Sequence, residues 1–130
     1  MSIESAIPSE LNNQVGVGTR IWPDVIPDSN GKQTCIVYQR ASTQYYNCFG
    51  GDADLETARI QFDCYAMAKP ESMSVAKQLI NHLRNKSGDF GSGALKVTKS
   101  AVNIVDRDAV YEPDTKRYRT RVDFMITFEG

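Results

Sequence analysis

The sequence is poor in the residues that most active-site chemistry requires. One histidine, one tryptophan and three cysteines stand among 130 residues. A Ser-His-Asp triad could run only through His82, and no nucleophile-elbow pattern accompanies it. Cys35, Cys48 and Cys64 are odd in number and lack CxxC spacing, which fits neither a disulfide framework nor a zinc site. Cys48 is the best candidate for a reactive thiol, yet its one available base, His82, belongs to another element. His82 falls beside Asn81 and Arg84 in a predicted helix, where a half-exposed structural role suffices. Neither charge is in surplus: 15 Lys and Arg face 16 Asp and Glu, a net of −1. A general phosphate binder carries a basic excess, so the balance argues against that class. No apolar run nears the ~18–20 residues of a membrane-spanning helix. The first residues lack the basic and apolar regions of a secretory signal. The expectation is a soluble protein made inside the cell, with no catalytic residue, cofactor, metal or membrane.

What is present is an ordinary globular composition, 41% hydrophobic and 24% charged, which argues against disorder. The length suits a single domain over 1–130. Residues 1–16 read as a short helix opening at Pro8, with Glu10 in its first turn, or as a flexible arm. Thr19–Pro23 reads as extended, and 23–33 as a loop rich in Pro, Asn and Gly. Residues 34–40 carry β-branched and aromatic types and read as a strand; 44–49 continue it or return as a second one. In 57–67, Ile60, Phe62, Cys64 and Ala66 alternate with Arg59, Gln61, Asp63 and Tyr65, the pattern of a half-buried antiparallel strand. A helix is predicted from Pro70 to about Lys86, with Met73, Ala76, Leu79, Ile80 and Leu83 as its apolar stripe. Ser87–Gly93 reads as a flexible loop and 95–105 as a strand. Residues 117–128 alternate most clearly, Tyr118, Thr120, Val122, Phe124, Ile126 and Phe128 against Arg117, Arg119, Arg121, Asp123, Met125 and Thr127.

These elements imply an α+β fold, an antiparallel β-sheet of about four to five strands with one main helix packed on one face. Ile60, Phe62, Cys64, Val122, Phe124 and Ile126 would form the core under Ala76, Leu79, Ile80 and Leu83. The other face carries Arg59, Asp63, Tyr65, Arg117, Arg119, Arg121 and Asp123. Arg and Tyr are favoured at interfaces, so this face is a candidate subunit interface; a merely solvated face has the same pattern. Asp89-Phe90-Gly91 copies a kinase tripeptide, but no other kinase element is present. Asp52, Asp54 and Glu56 lack the spacing of a calcium loop and read as solvated loop carboxylates, as do Asp106, Asp108, Glu112 and Asp114.

Four stretches in order resemble the tail-completion, or tail-terminator, proteins of long-tailed bacteriophages. They are Arg20-Ile21-Trp22-Pro23, Cys35-Ile36-Val37-Tyr38-Gln39-Arg40, Ala58 to Ala66, and Tyr111 to Arg119. The predicted helix lies between the third and fourth, and the order holds across roughly 18–128. The resemblance implies a structural virion protein and not an enzyme. It implies a ring of copies, six being typical of the family, at the head-proximal end of the tail tube, assembled in the host cytoplasm. Such a ring ends tube polymerisation and offers a docking surface to the head. Its partners would be itself, the tail tube protein and the head–tail connector proteins, with DNA passing through the lumen without specific binding. Asp52, Asp54 and Glu56 are then candidates to face the lumen. Another head–tail connector or tube component of similar fold is the alternative, and a small enzyme using His82 and Cys48 a more distant one.

Overall fold

The computed structural model describes residues 3–47, 54–84, 86–91, 95–106 and 108–129. Three strands of equal length form its centre: β2 (Cys35–Asn47), β3 (Asp54–Ala66) and β7 (Arg117–Glu129). β3 pairs antiparallel with β2 on one side and with β7 on the other. β5 (Leu95–Val105) runs antiparallel along the far side of β7. Three short strands complete a seven-stranded sheet: β1 (Ile21–Pro23) on β2, β4 (Gly88–Phe90) on β5, and β6 (Val110–Glu112) on β7. The strand order is β1-β2-β3-β7-β5-β4. β1 is parallel to β2, so the sheet is mixed and has more strands than the sequence pattern implies. The extra strands have three residues each, too few to show a period of two. Residues 35–47 make one strand, carried past a bulge between Arg40 and Ser42.

The alternating residues bury as expected. Ala58, Ile60, Phe62 and Cys64 meet Val122, Phe124, Ile126 and Phe128 in one core, with Phe62 and Phe124 edge-to-face at 5.9 Å. Helix α2 (Lys69–Leu83) covers this face, and α1 (Ile3–Leu11) packs beside it. α1 touches both β1 and β4, the two ends of the strand order, so the sheet curls around the helices.

Both helices depart from the sequence expectation for identifiable reasons. α2 ends at Leu83 because Arg84 turns extended and the chain enters β4 soon after, where a flexible loop is expected. Its buried stripe is Ser72, Val75, Ala76, Leu79 and Leu83, while Met73 is 38% exposed and Ile80 half-buried. The Ser72 hydroxyl donates to the Cys64 carbonyl at 2.6 Å and shares a 2.9 Å hydrogen bond with the Thr120 hydroxyl. A satisfied hydroxyl can be buried, so the helix sits rotated toward Ser72 and away from Met73.

In α1, Pro8 lies inside the helix rather than at its start. Proline cannot donate to the carbonyl four residues back, that of Glu4. The Tyr38 hydroxyl of β2 donates to that carbonyl instead, at 3.1 Å. Glu10 thus belongs to the last turn, where its nearly buried carboxylate meets His82 Nε2 at 2.7 Å and Lys86 Nζ at 3.1 Å. The Gly91 N–H donates to Glu10 at 3.0 Å. Gly91 has a φ of +63°, and a Cβ there would lie 2.7 Å from that of Ala6. Only glycine allows the end of β4 to approach α1 this closely.

Candidate subunit interface

The charged face is built by register. β3 and β7 place Asp63 opposite Arg121, Gln61 opposite Asp123, and Tyr65 opposite Arg119. Arg121 Nε donates to Asp63 at 2.8 Å, directly across the ladder. Arg59 Nε lies 3.1 Å from Asp123, one diagonal step away. Arg119 donates to Glu112 of β6 at 3.1 Å, and the Tyr65 hydroxyl donates to the same carboxylate. Arg117 donates to the carbonyls of Thr115 and Gly31. β5 and β6 share one side of β7, and Asp106 fills the gap between them: its N–H donates to the Arg121 carbonyl, and its carboxylate accepts from the Arg121 N–H, each at 2.9 Å.

The seven candidates of the sequence pattern therefore share one face but differ in depth. Asp63 and Asp123 are only 8% and 3% exposed, and Tyr65 is buried with them. Arg59, Arg117, Arg119 and Arg121 are half-exposed above them. The carboxylates are held beneath and the guanidinium groups reach outward. Asp63 holds Arg121 in its charged form above the ordinary arginine range. Burial, reinforced by Asp63 and Glu112, pushes the Tyr65 phenol up to about 12. Hydrogen-bonded carboxylates under arginine forks leave a surface suited to accepting carboxylates or carbonyls from another chain.

One end of this face is covered. Cys35, Val37 and Tyr65 form a second apolar cluster beneath Trp22 and Ile26. The loop that follows β1 is braced there: Trp22 Nε1 donates to Asn30 Oδ1 at 3.0 Å, and Asn30 Nδ2 donates to the Gln33 carbonyl at 2.9 Å. Beside it lies a cleft of about 520 Å³ whose lining includes Asp24, Asp28, Asp63, Glu112, Asp114 and Arg117. Asp106 and Glu112 escape sequence reasoning as partners because each sits beside a turn, where carboxylates are expected to be solvated. Their spacing from the arginines shows only once the hairpin is closed.

The remaining candidates do not converge on a site. Asp52 and Cys48 lie outside the described residues. Asp54 and Glu56 are not loop residues: both belong to β3, and Glu56 is half-buried opposite Phe128. Cys35 and Cys64 are buried free thiols, and burial pushes Cys35 up to about 11 and Cys64 higher still. His82 serves the Glu10 contact between helices. Among the described residues, no group of three His, Cys, Asp or Glu could hold a metal ion.

The sequence profile described as "Tail completion protein gp17" matches residues 8–129. The chain belongs to this family. As a tail completion protein it is a structural component of a phage tail and not an enzyme. The match spans all four resembling stretches. Among solved structures, a chain from the "Virion of native gene transfer agent (GTA) particle" shares the fold, with a TM-score of 0.71 and 11% identity; the alignment covers 99% of this chain and 96% of that one. No curated protein sequence matches.

Proposed function

We propose that this tail completion protein forms a closed ring, six copies in the family's usual form, at the head-proximal end of the tail tube. There it ends tube polymerisation and presents the surface on which the head docks. The match of residues 8–129 to the tail completion family carries this reading. The shared fold with a chain of a gene transfer agent virion supports it. Its partners are further copies of itself, the tail tube protein and the head–tail connector proteins. DNA passes through the lumen without specific binding, which a net charge of −1 favours because a basic lining would hold phosphates. Asp52, Asp54 and Glu56 are the proposed lumen-facing carboxylates.

A closed ring requires two different patches on each copy to meet. The arginine tips of Arg59, Arg117, Arg119 and Arg121 form one proposed patch, with Asp63, Tyr65 and Asp123 fixing their positions from below. The decisive experiment removes this protein from tail assembly and images the products by electron microscopy. Overlong tails without heads are expected. Tails of normal length that merely lack heads would overturn termination and leave a connector role.

A further inference from the structure

Two apolar features lie uncovered on opposite margins of the sheet. The first is Val25, 70% exposed although its loop is held at several points. The Asp24 N–H donates to the Tyr38 carbonyl at 3.0 Å, Ile26 is anchored in the second cluster, and Arg117 holds the carbonyl of Gly31. Asp24 itself takes a φ of +65°, unusual outside glycine. A valine held outward on a braced loop is pre-organised to insert, since little freedom is lost on docking. The second feature is an apolar groove of about 410 Å³ between α2 and the end of β5, lined by Met73, Ala76, Ile80, Val105 and Thr120, with Lys77 and Asp106 at its sides; the Asp106 carboxylate is already taken up by the Arg121 N–H, which leaves Lys77 as the unpaired charge. Met73 is the part of the helix's apolar stripe that the sheet leaves exposed, and half-buried Ile80 packs at the edge of the core beside it.

Charge and register relate the two. Asp24 and Asp28 flank the valine, and Lys77 borders the groove; none of the three has an ion-pair partner among the described residues. The register aligns Pro23, Tyr38, Phe62, Val122 and Val105 in one row across the sheet. The knob follows one end of that row and the groove opens at the other. Knob and groove thus follow the same register row, an arrangement that favours a heterologous contact closing into a ring over one climbing as an open helix.

We infer that Val25 of one copy inserts into the Met73–Ile80–Val105 groove of the next, with Asp24 and Asp28 facing Lys77. This contact rests on the ring reading and names a second patch for it. The test uses cysteine variants of the full chain carrying Cys48→Ser, since Cys35 and Cys64 are buried. Under oxidation, Val25→Cys combined with Met73→Cys is expected to give a covalent ladder whose top rung counts the copies in the ring. Equal mixtures of the two single-cysteine variants should stop at dimers, and neither alone should cross-link. Dimers from Val25→Cys alone would show a self-complementary contact and overturn the inference. As a second measurement, Lys77→Asp should reduce the ring fraction seen by native mass spectrometry at least tenfold, and adding Asp28→Lys should restore it. A wild-type ring with no ladder removes this contact and leaves the ring reading standing. A wild-type chain that stays monomeric at high concentration and on tube ends removes both.

Discussion

The two faces of the sheet start from the same alternation and end in different physics. On the helix side, Ile60, Phe62, Phe124 and Ile126 are buried against each other and under α2, held by contact alone. On the other side, Asp63 and Asp123 are nearly as deeply buried, yet each depends on an arginine at a set place in the ladder. The first face tolerates any residue of the right shape. The second tolerates only the right partner, because a buried carboxylate without its counter-charge is costly. A polar alternate face is therefore not the same as an open one.

The largest test of this difference is on the apolar side. Phe124→Ala should cost ~3–5 kcal/mol, combining lost transfer energy with a cavity the neighbours cannot fill. Its edge-to-face contact with Phe62 contributes ~0.5–1.5 kcal/mol beyond buried area. Urea unfolding of wild type and Phe124→Ala measures this directly, and a loss below ~1.5 kcal/mol would show that the core collapses around the gap.

On the charged side, Arg121→Ala leaves Asp63 buried without its partner. The expected cost is ~2–3 kcal/mol, below the ~3–5 kcal/mol of a fully buried pair because the Arg121 side chain is 36% exposed. Replacing both residues, Asp63→Leu with Arg121→Leu, should recover most of the loss. If the double variant is less stable than Arg121→Ala, the pair matters for more than mutual neutralisation.

A third test sits at the seam between the helices. Burial raises the Glu10 carboxyl, but the Gly91 N–H, His82 and Lys86 together outweigh it, so its folded pKa lies below the ordinary 4.5. A carboxyl depressed on folding adds stability that is complete above its unfolded pKa and disappears as pH falls through the folded value. Wild type and Glu10→Gln should thus differ most at neutral pH and converge on acidification below about pH 4.5. Unfolding midpoints measured across that range check the sign; a difference that widened toward acid would reverse it.

How much was legible follows from how each feature is encoded. The core of β3 and β7 was readable because alternation over a dozen residues is a local signal. A short helix within 1–16 is present, but it starts before Pro8: proline marks a helix start only where its missing donor goes unneeded, and here Tyr38, thirty residues on, satisfies the Glu4 carbonyl. β1 falls within the stretch that reads as extended, whereas β4 and β6 leave no periodic trace; all three form because longer strands offer them an edge. The arginines and aspartates could be assigned to one face from spacing. Which of them would be buried could not, since that depends on Trp22 and the loop after β1 covering one end of the face and on Asp106 filling a gap that exists only once β5 and β6 both pair with β7.

The smallest effect separates pattern from packing most sharply. By spacing, Met73 and Leu79 belong to the same helical stripe. In the fold Leu79 is fully buried while Met73 stands at the groove, 38% exposed. Leu79→Ala should then cost ~2–5 kcal/mol, and Met73→Ala under ~0.5 kcal/mol, as for a surface position. The rotation that causes this inequality is fixed by Ser72, whose hydroxyl is committed to Cys64 and Thr120. Ser72→Ala removes that commitment and should cost ~1–3 kcal/mol, since it leaves a buried carbonyl and hydroxyl short of a partner. If Met73→Ala proved as costly as Leu79→Ala in the isolated chain, the helix would be turned back toward the spacing of its sequence, and the groove beside it would be closed.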